Sequence, residues 1–203
     1  MAYVDVTEQF CAAPEDFLSK NIVMQWIQRN DAGVFGVGVK MIENAIVDNM
    51  PHGKVCFFYE KAEAPSLPAY WCPYQQNNFK SAMLGNDALF AFTPAVTGCS
   101  VGIGSGQNGT QMMCHVNSAQ IGTDWKGTGQ EAARQAQSQD AQLRYKLGHD
   151  LNMLSPTEYR AQDNTTILSV FAVHGLSQAW QLKALNYRKT GQNRYFHAGV
   201  QNY

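Results

Sequence analysis

Charge is scarce in this chain. Only 15 basic and 16 acidic side chains occur in 203 residues, or 15%, and they leave a formal net charge of −1. That is well below the usual quarter of charged residues. Such a balance supplies no global field to draw in nucleic acid or anionic lipid, so no nucleic-acid and no membrane partner is expected. Long apolar runs are missing too, since none approaches the about 20 residues that span a bilayer. The opening Met1-Ala2-Tyr3-Val4-Asp5 lacks the basic-then-apolar plan of a secretory leader, and the expectation is a soluble chain without a classical signal peptide. Cysteine is sparse and odd in number. Cys11, Cys56, Cys72, Cys99 and Cys114 are too few for a disulfide framework and have no Cys-x-x-Cys pair for zinc, so they read as reduced thiols.

What is present is enough apolar sequence for one core. Hydrophobic residues make up 45% of the chain, and a chain this long buries about 70% of its unfolded surface. No linker or internal repeat divides it, and residues 1–203 read as a single domain. From Glu15 to Arg29 the apolar residues fall near helical spacing behind Pro14, which predicts an amphipathic helix. Val34 to Ile42 alternates like a strand, and Lys54 to Glu60 is a continuous apolar run of strand length that suits a central strand. The stretch from Ala62 to Asn78, with three prolines, predicts irregular backbone pinned by aromatics. Strands are expected over Ala88–Thr93, Ser100–Ile103 and Gln111–Val116, the last two joined by the glycine-rich turn Gly104-Ser105-Gly106-Gln107-Asn108-Gly109. Thr128 and Glu131 stand at capping-box spacing before a long helix that ends at Gly148. Thr165–Val173 and Ala179–Tyr187 look like an antiparallel pair. Several strands and two helices without βαβ alternation predict an α+β fold, a β-sandwich of mainly antiparallel strands flanked by helices.

One constellation in this frame carries chemistry. A nucleophilic thiol needs a base, together with a rigid backbone that presents the sulfur and offers donors to a developing oxyanion. Thr97-Gly98-Cys99 provides a tight turn before a strand, which should leave Cys99 at a strand edge with little side-chain cover. His115 returns across the hairpin. If the turn is centred on Gln107, positions summing to 214 face each other and Cys99 opposes His115 directly, with Cβ atoms about 4.5–5.5 Å apart. The other histidines, His52, His149, His174 and His197, read as surface or turn residues. Nothing has a zinc spacing, and the glycine series lacks the helix and lysine of a phosphate loop; no metal and no cofactor are expected.

The segment from Leu89 through Val96-Thr97-Gly98-Cys99, a glycine-rich stretch, and then His115-Val116 resembles the catalytic segment of the glutamine deamidase toxins of the cytotoxic necrotizing factor and Burkholderia lethal factor type. Their pattern is an apolar strand, a Leu-Ser-Gly-Cys motif, a Gly-rich turn and a histidine. Val96 and Thr97 stand where the family has leucine and serine, and the gap of 16 between Cys99 and His115 is somewhat longer than in the lethal factor. The resemblance covers residues 88 to 117, with a weaker echo over 168 to 186. It implies that Cys99 is the nucleophile, His115 its base, and Thr93, Thr97 and Gly98 supports of the site. It also implies a bacterial effector, secreted or injected, that acts in host cytosol on a glutamine of a host protein, such as a small GTPase or a translation factor. Nothing in the sequence requires more than a monomer.

Two other readings come from different classes. One is another Cys–His hydrolase or a transglutaminase, although such enzymes place the cysteine at a helix N-terminus rather than before a strand. The second is a non-catalytic protein-binding module whose Tyr70, Trp71, Trp125 and Trp180 form a recognition surface; aromatics of this kind more often belong to the core.

Overall fold

The run from Glu15 to Arg29 is where sequence and structure part first. In the computed structural model, which describes residues 2–118, 130–148, 150–159, 166–175 and 179–203, it divides into a short helix and a buried strand. Strand β1 (Tyr3–Asp5) leads into helices α1 (Thr7–Ala12) and α2 (Pro14–Lys20), and β2 (Ile22–Gln25) follows at once. Asn21 makes the break. Its Nδ2 donates to Phe17 O at 2.8 Å while its Oδ1 accepts from Lys54 N at 2.8 Å. The β-branched Ile22 and Val23 are then paired in parallel with β5 (Val55–Glu60), where stiff side chains cost less than in a helix.

Strands β3 (Gly33–Ile42), β4 (Ile46–Val47), β6 (Leu67–Trp71), β7 (Phe79–Met83), β8 (Phe90–Phe92), β9 (Ser100–Ser105) and β10 (Gln111–Val116) occupy the middle of the chain. Helix α3 (Gln130–Leu147), β11 (Asn152–Leu154), α4 (Pro156–Tyr159), β12 (Ile167–His174), β13 (Trp180–Gly191) and β14 (Arg194–Asn202) complete it. The stretch from 62 to 78, expected to be irregular, therefore contains β6, held between β3 and β8. The Thr128 capping position and Trp125 lie outside the described residues, as does His149.

Ten strands form one sheet in the order β2-β5-β3-β6-β8-β12-β13-β14-β4, with β1 on β3. It curls until β2 meets β12 and β13, and the Ser169 hydroxyl donates to Val23 O across the seam. The result is a nearly closed barrel-like sheet within a broadly α+β chain. Phe10, Leu18, Ile22, Phe58, Trp71, Phe92 and Phe171 fill its interior. The second sheet, β11-β9-β10-β7, packs Val101, Ile103, Met113 and Leu154 against Ala91, Val96, Leu168, Val170 and Leu182 on the outside of the first. Helix α3 covers its far side through Leu143 and Leu147, against Cys114 and Val116. The stacking of sheets is thus between the outer face of a barrel and a small sheet, rather than a single two-sheet sandwich.

The glycine series explains how tightly α3 lies. A Cβ at Gly102 would come within 3.0 Å of Leu147 Cδ1, and one at Gly104 within 3.0 Å of Leu147 O. These glycines thus serve the helix contact, and the turn itself uses Gly109 at φ +72. Among the described residues no helix is long and apolar enough to cross a membrane.

Candidate active site

Register decides which side chains meet. In the β9–β10 hairpin His115 opposes Val101 and Val116 opposes Ser100, so paired positions sum to 216 rather than 214. The reason is the connection, whose closing bond runs from Gly106 N to Thr110 O at 2.9 Å and so centres the turn one residue later than Gln107 implies. Continued past the strand end, the register sets Asn117 opposite Cys99 and leaves His115 on the diagonal, where residues stand about 7–8 Å apart and Cβ atoms somewhat closer. A slip of two preserves parity. Cys99, Val101, His115 and Asn117 therefore share one face, and it is the face turned toward the barrel.

That face is covered, contrary to the expectation of an open strand edge. Cys99 is 6% exposed and His115 1%. Access is through a cleft of about 200 Å³ lined by Tyr74, Ala95, Thr97, Gly98, Cys99 and Asn117. All five cysteines are thiols, and Cys99 is the one that lines this cleft.

The imidazole is held from one side. Thr93, which follows β8 on the barrel sheet, brings Oγ1 within 2.7 Å of His115 Nδ1, and it is fully buried. In the tautomer that protonates Nδ1, the Thr93 oxygen accepts that proton and the lone pair stands on Nε2. Nε2 is buried and meets no hydrogen-bond partner among the described residues. Burial drives the pKa of His115 down from 6.5 to about 3, so the ring is neutral at physiological pH. Tyr74 closes the site, its ring centroid 5.1 Å from that of His115. Burial, reinforced by the nearby Cys99 sulfur, raises the Tyr74 phenol.

Asn117 carries the next group. Its Oδ1 accepts from Asn77 N at 3.0 Å, which fixes the amide orientation and points Nδ2 at Cys99 Sγ, 3.2 Å away. The backbone at Cys99 is clamped as well. Gln139, fully buried on α3, donates Nε2 to Gly98 O at 3.2 Å and accepts from the Ser100 hydroxyl at 3.1 Å, bridging the two residues that flank Cys99. From α4 the Tyr159 hydroxyl donates to Cys99 O at 3.1 Å. Asp140 takes the Ser100 and Ser155 hydroxyls, both at 2.8 Å, and ties the two helices to the same turn.

Of the residues expected from sequence, Cys99, Thr97 and Gly98 meet in the cleft, and His115 and Thr93 meet just inside it. Tyr74, Asn117, Gln139 and Tyr159 were not expected. Asn117 had a signal, because it lies two positions past His115 and so shares its face. Three of the four aromatics weighed as a recognition surface are core: Trp71 is fully buried, with Tyr70 5% and Trp180 6% exposed. His197, expected at the surface, is buried at 7%, where its Nδ1 accepts from Gly199 N. Among the described residues no group of three His, Cys, Asp or Glu side chains could hold a metal ion. No protein-family model matches the chain, and neither does any curated protein.

Proposed function

We propose that the chain is a protein-glutamine deamidase with a domain of the deamidase-toxin type, delivered by a bacterium to act on a host protein. The observation that carries this reading is the state of His115: Nδ1 tied to a buried hydroxyl, Nε2 with no partner, on the same sheet face as a cysteine that lines a cleft. A buried imidazole with one bare nitrogen is costly unless that nitrogen has a task. Taking a proton from the neighbouring thiol is such a task.

In the reaction, the Cys99 sulfur attacks the carboxamide carbon of a substrate glutamine as its proton passes to His115 Nε2. The carbonyl oxygen gains negative charge, and Asn117 Nδ2–H, already directed at the sulfur, lies beside the reacting carbon as an oxyanion donor. One such donor is worth about 3–4 kcal/mol elsewhere. The imidazolium then gives its proton to the nitrogen, the C–N bond breaks, and ammonia leaves a thioester. Water, losing a proton to Nε2, attacks the thioester; glutamate departs and the thiol recovers its proton. Because burial disfavours a charged imidazole, the ring holds the proton only while the adjacent sulfur or oxyanion is negative.

Incubation with host-cell lysate, followed by mass spectrometry for Gln-to-Glu conversions, tests the reading. A conversion that wild type produces and Cys99→Ser does not is the expected result. Cleaved peptide bonds in place of converted glutamines would point to a peptidase instead.

A further inference from the structure

A second cleft adjoins the first. It has a volume of about 620 Å³ and is lined by Gln25, Trp26, Arg29, Asn30, Tyr74 and Pro94 among others, and it shares Tyr74 with the cleft of Cys99. Its size is in the range of ligand sites. Two features set it apart. The Gln25 side chain is buried at 8% exposure, and both of its carboxamide atoms, Nε2 and Oε1, lack a hydrogen-bond partner among the described residues; so does the buried Nε of Arg29. Unpaired buried groups of this kind are rare and costly, and a ligand site is one setting that accounts for them. The second feature is Trp26. It is 46% exposed yet stacked on Phe57 with ring centroids 4.2 Å apart, a large apolar plate held rigid before anything binds.

We infer that this cleft binds the stretch of protein substrate flanking the reactive glutamine, as an extended peptide read through its backbone. The inference rests on the deamidase reading for its substrate and on the cleft's own atoms for its chemistry. In an extended strand the N–H and C=O of one residue point the same way. A primary carboxamide offers one acceptor and two donors in one plane, so Gln25 can accept from that N–H and donate to that C=O. Arg29 Nε–H supplies a donor for a further carbonyl. The rest of the guanidinium is spoken for, with Nη1 2.6 Å from Glu60 and Nη2 2.7 Å from Asp31. The cleft therefore presents neutral donors and acceptors rather than a net charge, which suits a peptide backbone better than a phosphate or carboxylate. Trp26 and Pro94 give apolar walls to the side chains, and Tyr74 hands the chain over to Cys99.

Two probes on the full chain test this: N-benzyloxycarbonyl-Gln-Gly, too short to reach the second cleft, and reduced, carboxymethylated casein, an unfolded polypeptide with many glutamines. Ammonia release is measured for both, and casein binding is measured separately in the Cys99→Ser background. Gln25→Leu and Trp26→Ala should each lower kcat/KM on casein by about tenfold and weaken casein binding in proportion, while turnover of the dipeptide stays within about twofold. Loss on both probes alike, or on neither, overturns the inference. Casein binding that depends on Gln25 without any ammonia release would leave the cleft as a peptide site and remove the deamidase reading. Absence of both casein binding and turnover in wild type overturns the two together.

Discussion

Replacing Thr93 with valine removes one oxygen and almost no volume, and so isolates what that hydroxyl does. Thr93 is fully buried and His115 is 1% exposed, and the contact between them measures 2.7 Å. No cavity forms in Thr93→Val, so the cost is that of a buried imidazole N–H left without its acceptor, about 1–3 kcal/mol of folding stability. The consequence for chemistry is larger. With no acceptor at Nδ1 the ring loses its reason to keep the proton there, and the tautomer with the proton on Nε2 cannot serve as a base. General-base catalysis contributes about 10²–10⁴-fold, and a loss near the lower end is expected. Urea unfolding gives the stability. The alkylation rate of Cys99 by iodoacetamide, followed by tandem mass spectrometry that separates it from Cys114 on the shared tryptic peptide 81–126, gives reactivity without knowledge of any substrate. Thr93→Ser restores the hydroxyl and should recover the alkylation rate while giving up the packing of one methyl. A valine variant that labels as fast as wild type, or a serine variant that labels no faster than valine, refutes the tautomer argument.

Acid should act on the same residue. The folded-state pKa of His115 lies near 3 against 6.5 in the unfolded chain, so the unfolded chain takes up the proton first. The contribution is whole above pH 6.5 and is lost as pH falls toward 3, at most about 5 kcal/mol. Urea unfolding at pH 7 and pH 4 should show a larger loss for wild type than for His115→Gln, and equal losses would contradict it. At pH 8 iodoacetamide should label Cys99 ahead of half-buried Cys11, and well ahead of Cys56, Cys72 and Cys114. Those three are fully buried, and burial raises the Cys56 and Cys114 thiols to about 12 and Cys72 well above its ordinary value; a faster Cys11 would deny Cys99 any special activation. Gln139→Leu strips the bonds to Gly98 O and Ser100 and should cost about 1–3 kcal/mol. In ammonia-release assays its kcat should fall more than KM rises, because the turn that presents the sulfur loosens; an unchanged kcat would show that the clamp is dispensable.

What could be read from the sequence followed local rules. The hairpin from Ser100 to Val116 and the pairing of β12 with β13 were written in alternation and turn residues, and parity alone was enough to put Cys99 and His115 on one face. The register slip came from the closing bond at Gly106 and Thr110, which composition does not encode. The helix expected over 15 to 29 holds only as far as Lys20, because periodicity in a window containing Ile22 and Val23 fits a buried strand equally well, and the parallel partner that settles the matter lies some thirty residues on. Strand β6 was hidden by its proline and those on either side; Pro68 faces Gly36 in the ladder. The clamp on Cys99 was beyond reach for the same reason. Gln139 and Tyr159 stand 41 and 60 residues from the atoms they hold, and a glutamine on a helix otherwise rich in Ala, Gln and Arg carries no mark of its burial.

Thr93 belongs to the barrel and His115 to the sheet laid upon it, so the machinery is assembled from two bodies of the fold and owned by neither. A small parting of those layers, well short of melting either one, would take the hydroxyl away from the ring. Mild urea or heat should therefore silence the thiol before circular dichroism registers any loss of strand, and the molecule would lose its reactivity while still looking folded.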